Sequence, residues 1–303
     1  MAEQFKRSYT LEVGNADPLG LSGAFSIISG DDALRITFEI EKTELPWPNK
    51  ATIKIWNLNE DHRAYVAQET ALRCYLEAGY AGSTGEIFNG TIRRGTSRHN
   101  GSDWITVLEA GEGECDKDGE LISSKSIKKS WKKGTPIAAI IQDFAKALNV
   151  DVGNLPTLAG AASFSSGPAL LHGMAVDGPV LDEWTYLMRG LGLRWSIQGG
   201  AIQLRLNEAP AGLVPLIGPL TGLVDQVEVS TKRIKRNNTL TKKEEIQSIG
   251  AVEGRALITP GLIPGYQFLL QSAVATGSYL CSRVVHKGDT RGQEWYTHFE
   301  GLQ

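Results

Sequence analysis

The fold is decided by residues 34–55, LRITFEIEKTELPWPNKATIKI, where apolar and polar side chains alternate on both sides of a turn. The apolar members are Leu34, Ile36, Phe38 and Ile40, then Ala51, Ile53 and Ile55. A period of two places such groups on one face of a β-sheet. Pro46 and Pro48 lack the amide hydrogen that a central strand needs, so they force a turn or an edge between the two runs.

More short strands follow in the first third of the chain. Residues 73–79, 85–93 and 104–110 have strand character and are separated by glycine-rich or polar turns. Asn59 is a candidate cap for a short helix that continues to Gln68. The 34 glycines exceed the average share of about 7%, as expected of a chain with many turns. We therefore predict a small antiparallel barrel or sandwich here.

The middle third changes to a helical period. Thr135 and Pro136 predict a helix start, with the threonine hydroxyl as cap. The apolar stripe that follows is Ile137, Ile140, Ile141, Phe144 and Leu148. A second helix is predicted from Pro179 to about Leu191, and a hairpin turns at Gly199 and Gly200. Between the helices, residues 155–173 predict a long mobile loop.

The last third returns to a β pattern. Residues 209–222 carry several prolines and glycines and predict a linker, after which strand-like segments resume. The expected fold class is mainly β with an α/β insert: two small antiparallel barrel-like domains flank a middle domain of two helices and a hairpin. The expected boundaries are 1–120, 121–208 and 209–303.

Composition excludes several classes of protein. The 303 residues are 41% hydrophobic and carry a formal net charge of −3, unlike disordered chains or dedicated duplex-binding domains. No apolar run approaches 18 residues and no secretory signal opens the chain, so we expect a soluble, intracellular protein without membrane insertion. Cys74, Cys115 and Cys281 have no CxxC spacing and are expected to be isolated thiols.

No catalytic or cofactor motif is found. The chain has no P-loop, HExxH or GxSxG, and we expect no cofactor and no metal. The best metal candidate is His286 with His298 and Asp289. If residues 287–292 form the loop, the two imidazoles are about 17 Å apart along the ladder, too far for one zinc ion.

Charged clusters leave two alternatives open. The carboxylates Glu109, Glu112, Glu114 and Asp116 allow a cell-wall hydrolase that uses an acid pair, although acidic loops are more often solvated. Two basic runs allow a nucleic-acid-binding protein that contacts phosphates through them, although lysines also protect strand edges. They comprise Lys125, Lys128, Lys129, Lys132 and Lys133, then Lys232, Arg233, Lys235, Arg236, Lys242 and Lys243.

Nine segments follow one another along most of the chain: FEIEKT at 38–43, PNKATIKIWNLN at 48–59, LEAGY at 76–80, IFNG at 87–90, GTP at 134–136, the helix and hairpin of 178–197, TPGLIPG at 259–265, VHKGD at 285–289 and EWYT at 294–297. In this order they resemble phage tail baseplate hub proteins. The basic stretch 231–245 departs from the family pattern. The resemblance extends to the hub part of type VI secretion spikes.

The resemblance implies a structural protein without a catalytic site. Such hubs are homotrimers whose two barrel-like domains per chain make a pseudo-sixfold ring. The ring adapts a sixfold tail tube to a threefold spike and encloses the channel through which DNA leaves, without sequence-specific binding.

The expected partners are therefore the tail tube protein, the spike protein, and other baseplate and tape-measure proteins. The expected location is the virion tail, after assembly in the host cytoplasm.

The resemblance also implies structural roles for the motif residues. These are Pro48, Asn49, Asn57, Leu58, Pro264, Gly265, His286, Gly288, Asp289 and Trp295. Pro264 and Gly265 would set a turn before a strand, and 286–289 would be a hairpin turn. His286 would be structural, with its ring nitrogens hydrogen-bonded locally.

Overall fold

The computed structural model describes residues 6–17, 20–68, 72–116, 120–154, 169–206, 209–237 and 244–303. Strands dominate both ends of the chain, and helices concentrate in the middle. The N-terminal strands are β1 (Arg7–Asp17), β2 (Gly20–Ile28), β3 (Ile36–Thr43), β4 (Asn49–Trp56), β5 (Arg73–Tyr80), β6 (Ser83–Asn100) and β7 (Asp103–Glu112), with helix α1 (Glu60–Gln68) after β4. Asn59 caps α1 as predicted, because its Oδ1 accepts the His62 N–H at 2.8 Å.

The middle of the chain forms the α/β insert. Its elements are a 3-10 turn (Ile122–Ser124), β8 (Ser126–Trp131), α2 (Ile137–Leu148), β9 (Asp151–Val152), β10 (Met174–Pro179), α3 (Val180–Gly190), β11 (Leu193–Gln198) and β12 (Ala201–Leu206). The C-terminal strands are β13 (Leu213–Ile217), β14 (Glu228–Asn237), β15 (Glu244–Leu257), β16 (Gln267–Gln271), β17 (Thr276–Asp289) and β18 (Trp295–Leu302). The predicted fold class, mainly β with an α/β insert, is confirmed.

One sheet connects the two ends of the chain. Its main path runs β14-β15-β18-β17-β3-β4-β7-β6-β5-β1-β2, while β13 and β16 join it through β17. The junction is the antiparallel pairing of β3 with β17, in which Ile40 lies opposite His286 and Glu39 opposite Lys287. The two β-rich ends therefore share a backbone hydrogen-bond ladder.

Alternation along β3 explains why the sheet has one buried face. Ile36, Phe38 and Ile40 are buried, whereas Thr37, Glu39 and Glu41 point to the other face and are at least partly exposed. The same alternation in β4 buries Ile53 and Ile55 against them. Burial of large aliphatic and aromatic side chains contributes about 1.5–3 kcal/mol each.

Three clusters of buried apolar residues follow one another along the chain. The first is built on β1–β7, the second on the insert, and the third on the C-terminal strands. The first cluster also takes Ile258 and Trp295 from the C-terminal part. In the second, Trp184 contacts Phe144 in a tilted arrangement and Trp195 edge-on, with ring centroids 5.7 and 6.2 Å away.

The insert confirms the predicted helices and hairpin, with one correction at a helix start. The Thr135 hydroxyl donates to the Lys132 carbonyl at 2.8 Å and does not cap the amides of α2, which begins after Pro136. Gly199 and Gly200 both have positive φ (61° and 72°), as a two-residue hairpin turn requires. Most of the predicted loop 155–173 lies outside the described residues.

One prediction for the C-terminal third is wrong in detail. The expected linker 209–222 contains strand β13, which pairs in parallel with β16 although Pro215 lies within it. An edge strand tolerates proline because one side of its ladder is unpaired. In the basic stretch 231–245, the described residues 231–237 and 244–245 lie in β14 and β15, which pair with each other. Among the described helices, none is long and apolar enough to cross a membrane.

Trp295 supplies the first prediction. Its indole is 1% exposed, donates from Nε1 to the Gly79 carbonyl at 3.0 Å, and packs edge-on against Phe38. Trp295→Ala removes this contact between the two ends of the chain and leaves a cavity. We expect the free energy of unfolding to fall by about 3–5 kcal/mol in urea titrations followed by circular dichroism.

Trp47→Ala is the matched control, since Trp47 is 69% exposed. Its unfolding free energy should change by less than about 0.5 kcal/mol. Equal losses in the two variants would contradict the role assigned to Trp295.

Candidate functional site

The outer face of the junction sheet carries a lattice of cross-strand ion pairs. Lys287 of β17 contacts Glu39 of β3 at 2.9 Å, between Nζ and Oε1. Arg283 contacts Glu41 at 2.7 Å on one side and Glu300 of β18 at 2.9 Å on the other. Opposite charges on neighbouring strands stabilise a pairing register modestly. The lattice therefore spans the junction between the two ends of the chain.

This charged face continues as a shallow groove of about 550 Å³ over β15, β17 and β18. Arg255 contacts Asp225 at 2.6 Å at one side of it. Lys232 contacts Glu253 at 3.0 Å and also pairs with Glu300. Burial and the neighbouring Arg255 and Lys287 lower the pKa of His298, which lies in the same groove. Cations and carboxylates here largely neutralise one another.

Directly beneath the charged face lies His286. Its side chain is 1% exposed, and its Nδ1 lies 2.9 Å from the Thr297 hydroxyl. Nε2 has no hydrogen-bond partner among the described residues, so only one ring nitrogen is bonded locally, not both. Burial and then the charge of Lys42 lower the pKa of His286 to about 3.

A buried polar clamp joins the β3–β4 hairpin to the insert. Asn49 Nδ2 donates to Glu112 Oε2 at 2.7 Å and to the Ile197 carbonyl at 3.0 Å. Glu112 Oε1 accepts the Gly199 N–H at 2.8 Å and contacts Lys42 Nζ at 3.3 Å. Asn49, Glu112 and Lys42 are all less than 7% exposed. The clamp fixes the β11–β12 hairpin against the N-terminal strands.

A second contact holds the same two parts together. Arg205 of β12 pairs with Glu44, and its Nη2 donates to Glu44 Oε2 at 2.8 Å. Gln198 Nε2 donates to the Thr43 carbonyl at 2.8 Å. The turn between β3 and β4 is thus bonded to the insert on both sides.

The other motif residues lie at turns and packing contacts. Asn57 has a positive φ of 57°, and its side chain bonds Asp103 and the Trp104 N–H, both at 3.0 Å. Leu58 is buried in the first cluster. Gly288 lies against Phe38, where a Cβ would come within 2.2 Å of the ring.

Pro264 and Gly265 form a turn before β16. Gly265 has a φ of 88° and donates its N–H to the Cys281 carbonyl at 2.8 Å. Pro48 is partly buried beside the clamp residue Asn49.

Asp289 ends β17 and fixes the N-terminus of the first strand. Burial alone would raise its pKa, but hydrogen bonds from Arg35 (2.6 Å) and from the Arg291 N–H (3.0 Å) hold the pKa below its usual value. The Asp289 carbonyl accepts from Arg7 Nη1 at 2.7 Å. The hairpin loop is therefore 290–294, not 287–292 as predicted.

That shift changes the geometry of the histidine pair. His286 lies opposite Thr297, and His298 lies opposite Val285. Neighbouring strand positions point to opposite faces, so His286 is buried while His298 faces the charged groove. The predicted 17 Å offset along the ladder is wrong; separate faces keep the rings apart instead. The described residues contain no group of three or more side chains placed to hold a metal ion.

The acidic cluster does not form an exposed catalytic pair. Glu112 is in the clamp, and Asp116 is 1% exposed and bonded to Lys125 and Asn149. Glu114 pairs with Arg93 at 2.7 Å, and Glu109 is exposed on the sheet. Glu112, Asp116 and Glu114 are therefore each held in a structural contact.

Four of the seven basic side chains that the structure describes in these runs form ion pairs, Lys125 and Lys232 among them. Lys128 contacts Asp177 at 2.6 Å and Lys129 contacts Asp143 at 2.8 Å. Lys132, Lys133 and Arg233 are exposed, while the side chains of Lys235 and Arg236 and all of Lys242 and Lys243 lie outside the described residues. Cys74 and Cys281 are buried and Cys115 is partly buried; none of them forms a disulfide.

Sequence reasoning missed the clamp cation, although a signal was present. Lys42 has the same strand parity as Ile36, Phe38 and Ile40, so its side chain points inward. A lysine at an inward position requires a buried carboxylate partner. That requirement indicates Glu112 or another inward acid on a neighbouring strand.

Comparison with known proteins supports the fold. No family model matches the sequence, and no curated protein matches it. Among solved structures, a tail protein from Neisseria meningitidis MC58 aligns with a TM-score of 0.57 and 8% identity over 99% of this chain and 97% of that one. A 43 kDa tail protein of prophage MuSo2 from Shewanella oneidensis gives 0.59 and 10% over 98% of both chains.

A chain of the half-lidded PdpA–VgrG complex from Francisella gives a TM-score of 0.58 and 6% identity. It aligns with 100% of this chain, which spans 59% of the Francisella chain. The protein therefore has the fold of these tail proteins, and the resemblance read from its sequence is confirmed at the level of the fold.

Glu112→Gln tests the clamp. The change leaves the Lys42 charge buried without a counter-charge, which typically costs about 3–5 kcal/mol of stability. We expect a loss of that size in urea unfolding. The control Glu109→Gln, at an exposed position of the same strand, should change stability by about 0.5 kcal/mol or less.

The double variant Lys42→Met with Glu112→Gln should recover much of the loss, because no buried charge then remains. A Glu112→Gln variant as stable as the parent would contradict the clamp.

His286 predicts a pH dependence of stability. Its folded pKa of about 3 lies below the value near 6.5 of the unfolded chain, so protons bind the unfolded state preferentially. Stability is therefore lost as the pH falls from about 6.5 toward the folded pKa. His286→Gln should flatten this loss, measured as the urea midpoint at about pH 7 and about pH 5.

His172→Gln, which removes an exposed imidazole, is the matched control, and its urea midpoints are measured at the same two pH values. If the midpoints of parent and His286→Gln fall equally on acidification, His286 is not the responsible group.

Proposed function

We propose that this chain is a structural hub of a phage-type tail baseplate, assembled as a trimeric ring. The observation that carries the proposal is the single sheet through both β-rich ends, joined at β3 and β17. The likeness to two tail proteins over nearly the full length of both chains supports it.

In the proposed ring, neighbouring copies contact one another through the two edge strands of the sheet. In the described part of the chain, β2 and β14 each pair with one strand and form the two ends of the sheet path. Each carries an exposed β-branched residue, Ile28 (61%) and Val229 (58%). Natural proteins protect such edges with charge, as Lys232 and Arg233 do along part of β14, or cover them with a partner, which the exposed Ile28 and Val229 favour. Edge-to-edge contact of β2 with β14 of the next copy would close a ring of three.

Three copies with two β-rich domains each would present six similar units around a threefold axis. Such a ring would adapt a sixfold tube to a threefold spike. The proposed domains are 1–120, 121–208 and 209–303; the three buried clusters support these limits, apart from Ile258 and Trp295 in the first cluster. The tail tube, spike, tape-measure and other baseplate proteins are the proposed partners, in the virion tail, after assembly in the host cytoplasm.

In the proposed ring, the charged face of the junction sheet lines the passage for DNA. Its cations are already paired with carboxylates, as Arg283 is with Glu41 and Glu300. Few cations then remain to hold phosphates, so DNA would pass without sequence-specific binding. The structural use of Glu112 and Asp116 supports a role in assembly and not in catalysis.

Edge substitutions test the ring. Light scattering behind a sizing column should give about 98 kDa, three times the chain mass of 32.8 kDa, with threefold rings in negative-stain images. Ile28→Lys or Val229→Lys places a charge on a contacting edge and should shift the mass to that of the monomer.

Val274→Lys is the control, because Val274 is exposed in the turn between β16 and β17, away from both edges. It should leave the trimer intact. A parent protein that stays monomeric at high concentration, even with spike and tube proteins added, would overturn the proposal.

A further inference from the structure

A second surface, distinct from the charged face, is an apolar groove between the β3–β4 turn and the insert. It encloses about 740 Å³. Its apolar lining includes Trp47, Leu121, Leu181, Tyr186, Trp195 and Ile197, and Pro46 and Pro48 complete one wall. The clamp at Asn49 fixes that wall against the β11 strand that forms the floor.

The walls of the groove are unusually open to solvent. Tyr186 is 78% exposed, Trp47 69% and Leu121 49%. Single exposed apolar residues are ordinary, but a cluster of large ones around a concavity marks an interaction site. Trp47 contributes no buried contact comparable with that of Trp295, so its position is best explained by a partner.

The rim of the groove carries an opposed pair of charges. Asp182 and Arg189 both line the groove and lie in the first and last turns of α3. Both are exposed, and neither forms an ion pair with another described residue. Glu114, on the opposite wall, is by contrast neutralised by Arg93 at 2.7 Å. An occupant thus meets a carboxylate at one end and a guanidinium at the other, neither of them paired within the described part of the chain.

The spacing of these charges sets the length of the occupant. The two residues lie seven positions apart on the helix, or about 10 Å at ~1.5 Å per residue. An extended polyproline-type peptide advances ~3.1 Å per residue, so about three residues span the same distance. Grooves walled by tryptophan, tyrosine and proline suit this conformation, because flat rings pack against prolyl and aliphatic side chains.

We propose that this groove binds an extended segment of another protein, with a basic and an acidic residue three positions apart and prolyl or aliphatic residues between them. The basic residue lies at Asp182 and the acidic residue at Arg189. The middle of the segment packs between Trp47 and Tyr186. This assignment goes beyond the hub role and does not depend on ring closure.

The test uses fluorescein-labelled peptides and the full chain. Three heptapeptides share the core X-Pro-Leu-Z, where X and Z are Lys and Glu, Glu and Glu, or Lys and Lys. The parent should bind the Lys/Glu peptide roughly three- to tenfold tighter than either like-charged one in polarisation titrations. Trp47→Ala should weaken binding of that peptide at least about fivefold.

Charge-switch variants make the test specific. Asp182→Lys should shift the preference to the Glu/Glu peptide, and Arg189→Glu should shift it to the Lys/Lys peptide. Both residues are exposed, so the variants should keep the parental circular dichroism and unfolding midpoint.

Three results would overturn the proposal. One is the absence of saturable binding to any peptide, and another is the same preference order in parent and switch variants. The third is concentration-dependent self-association that Trp47→Ala abolishes, since the occupant would then be a second copy of this chain. A parent protein that is monomeric but binds the peptides, with variants that change the preference as expected, would support the peptide site and contradict only the trimeric ring.

Discussion

The antiparallel ladder between β3 and β17 is the interaction on which the rest of the structure depends. It joins segments from opposite ends of the chain into one sheet, with Arg283 opposite Thr43 and Asp289 opposite Thr37. Because strand parity fixes both faces together, the same register places Lys287 beside Glu39 outside and His286 beneath them inside. A slip of one residue would bury the charged lattice and expose the core.

The buried clamp sets the relation between the sheet and the insert. Lys42, Asn49 and Glu112 come from the sheet, and Gly199 comes from the insert hairpin. A buried ion pair with its remaining hydrogen bonds satisfied adds little net stability, but it tolerates few other arrangements, since each misplacement leaves a charge unpaired. The apolar groove exists because this clamp holds the Trp47 turn against β11.

Local sequence patterns predict the helices, strands and turns, but they do not predict which distant strands pair with one another. The alternation of residues 34–40, the Asn59 cap and the turn at Gly199 are short-range signals, and each is present in the structure. The register of β17 and β18 was misjudged because the strand continues to Asp289 with an irregularity near Cys281. β13 is not predicted by its sequence, because the strand that it pairs with, β16, lies some 50 residues away and β13 itself contains proline. The inward strand parity of Lys42 indicates a buried ion pair. The sequence gives no such indication for Asp182 and Arg189 at the groove rim, because exposed charges are common on helices.

The long ladder also has a consequence for synthesis. Arg283 and Glu41, which meet across it, are separated by 242 residues. At roughly 5–20 residues per second on the ribosome, β3 waits about 12–50 s for the strand that covers its edge. Contacts of such high sequence separation also form slowly after release. Nascent chains would therefore carry an unpaired strand edge for most of translation. On a polysome, where several nascent copies of this chain lie close together, misassembly would begin at these edges.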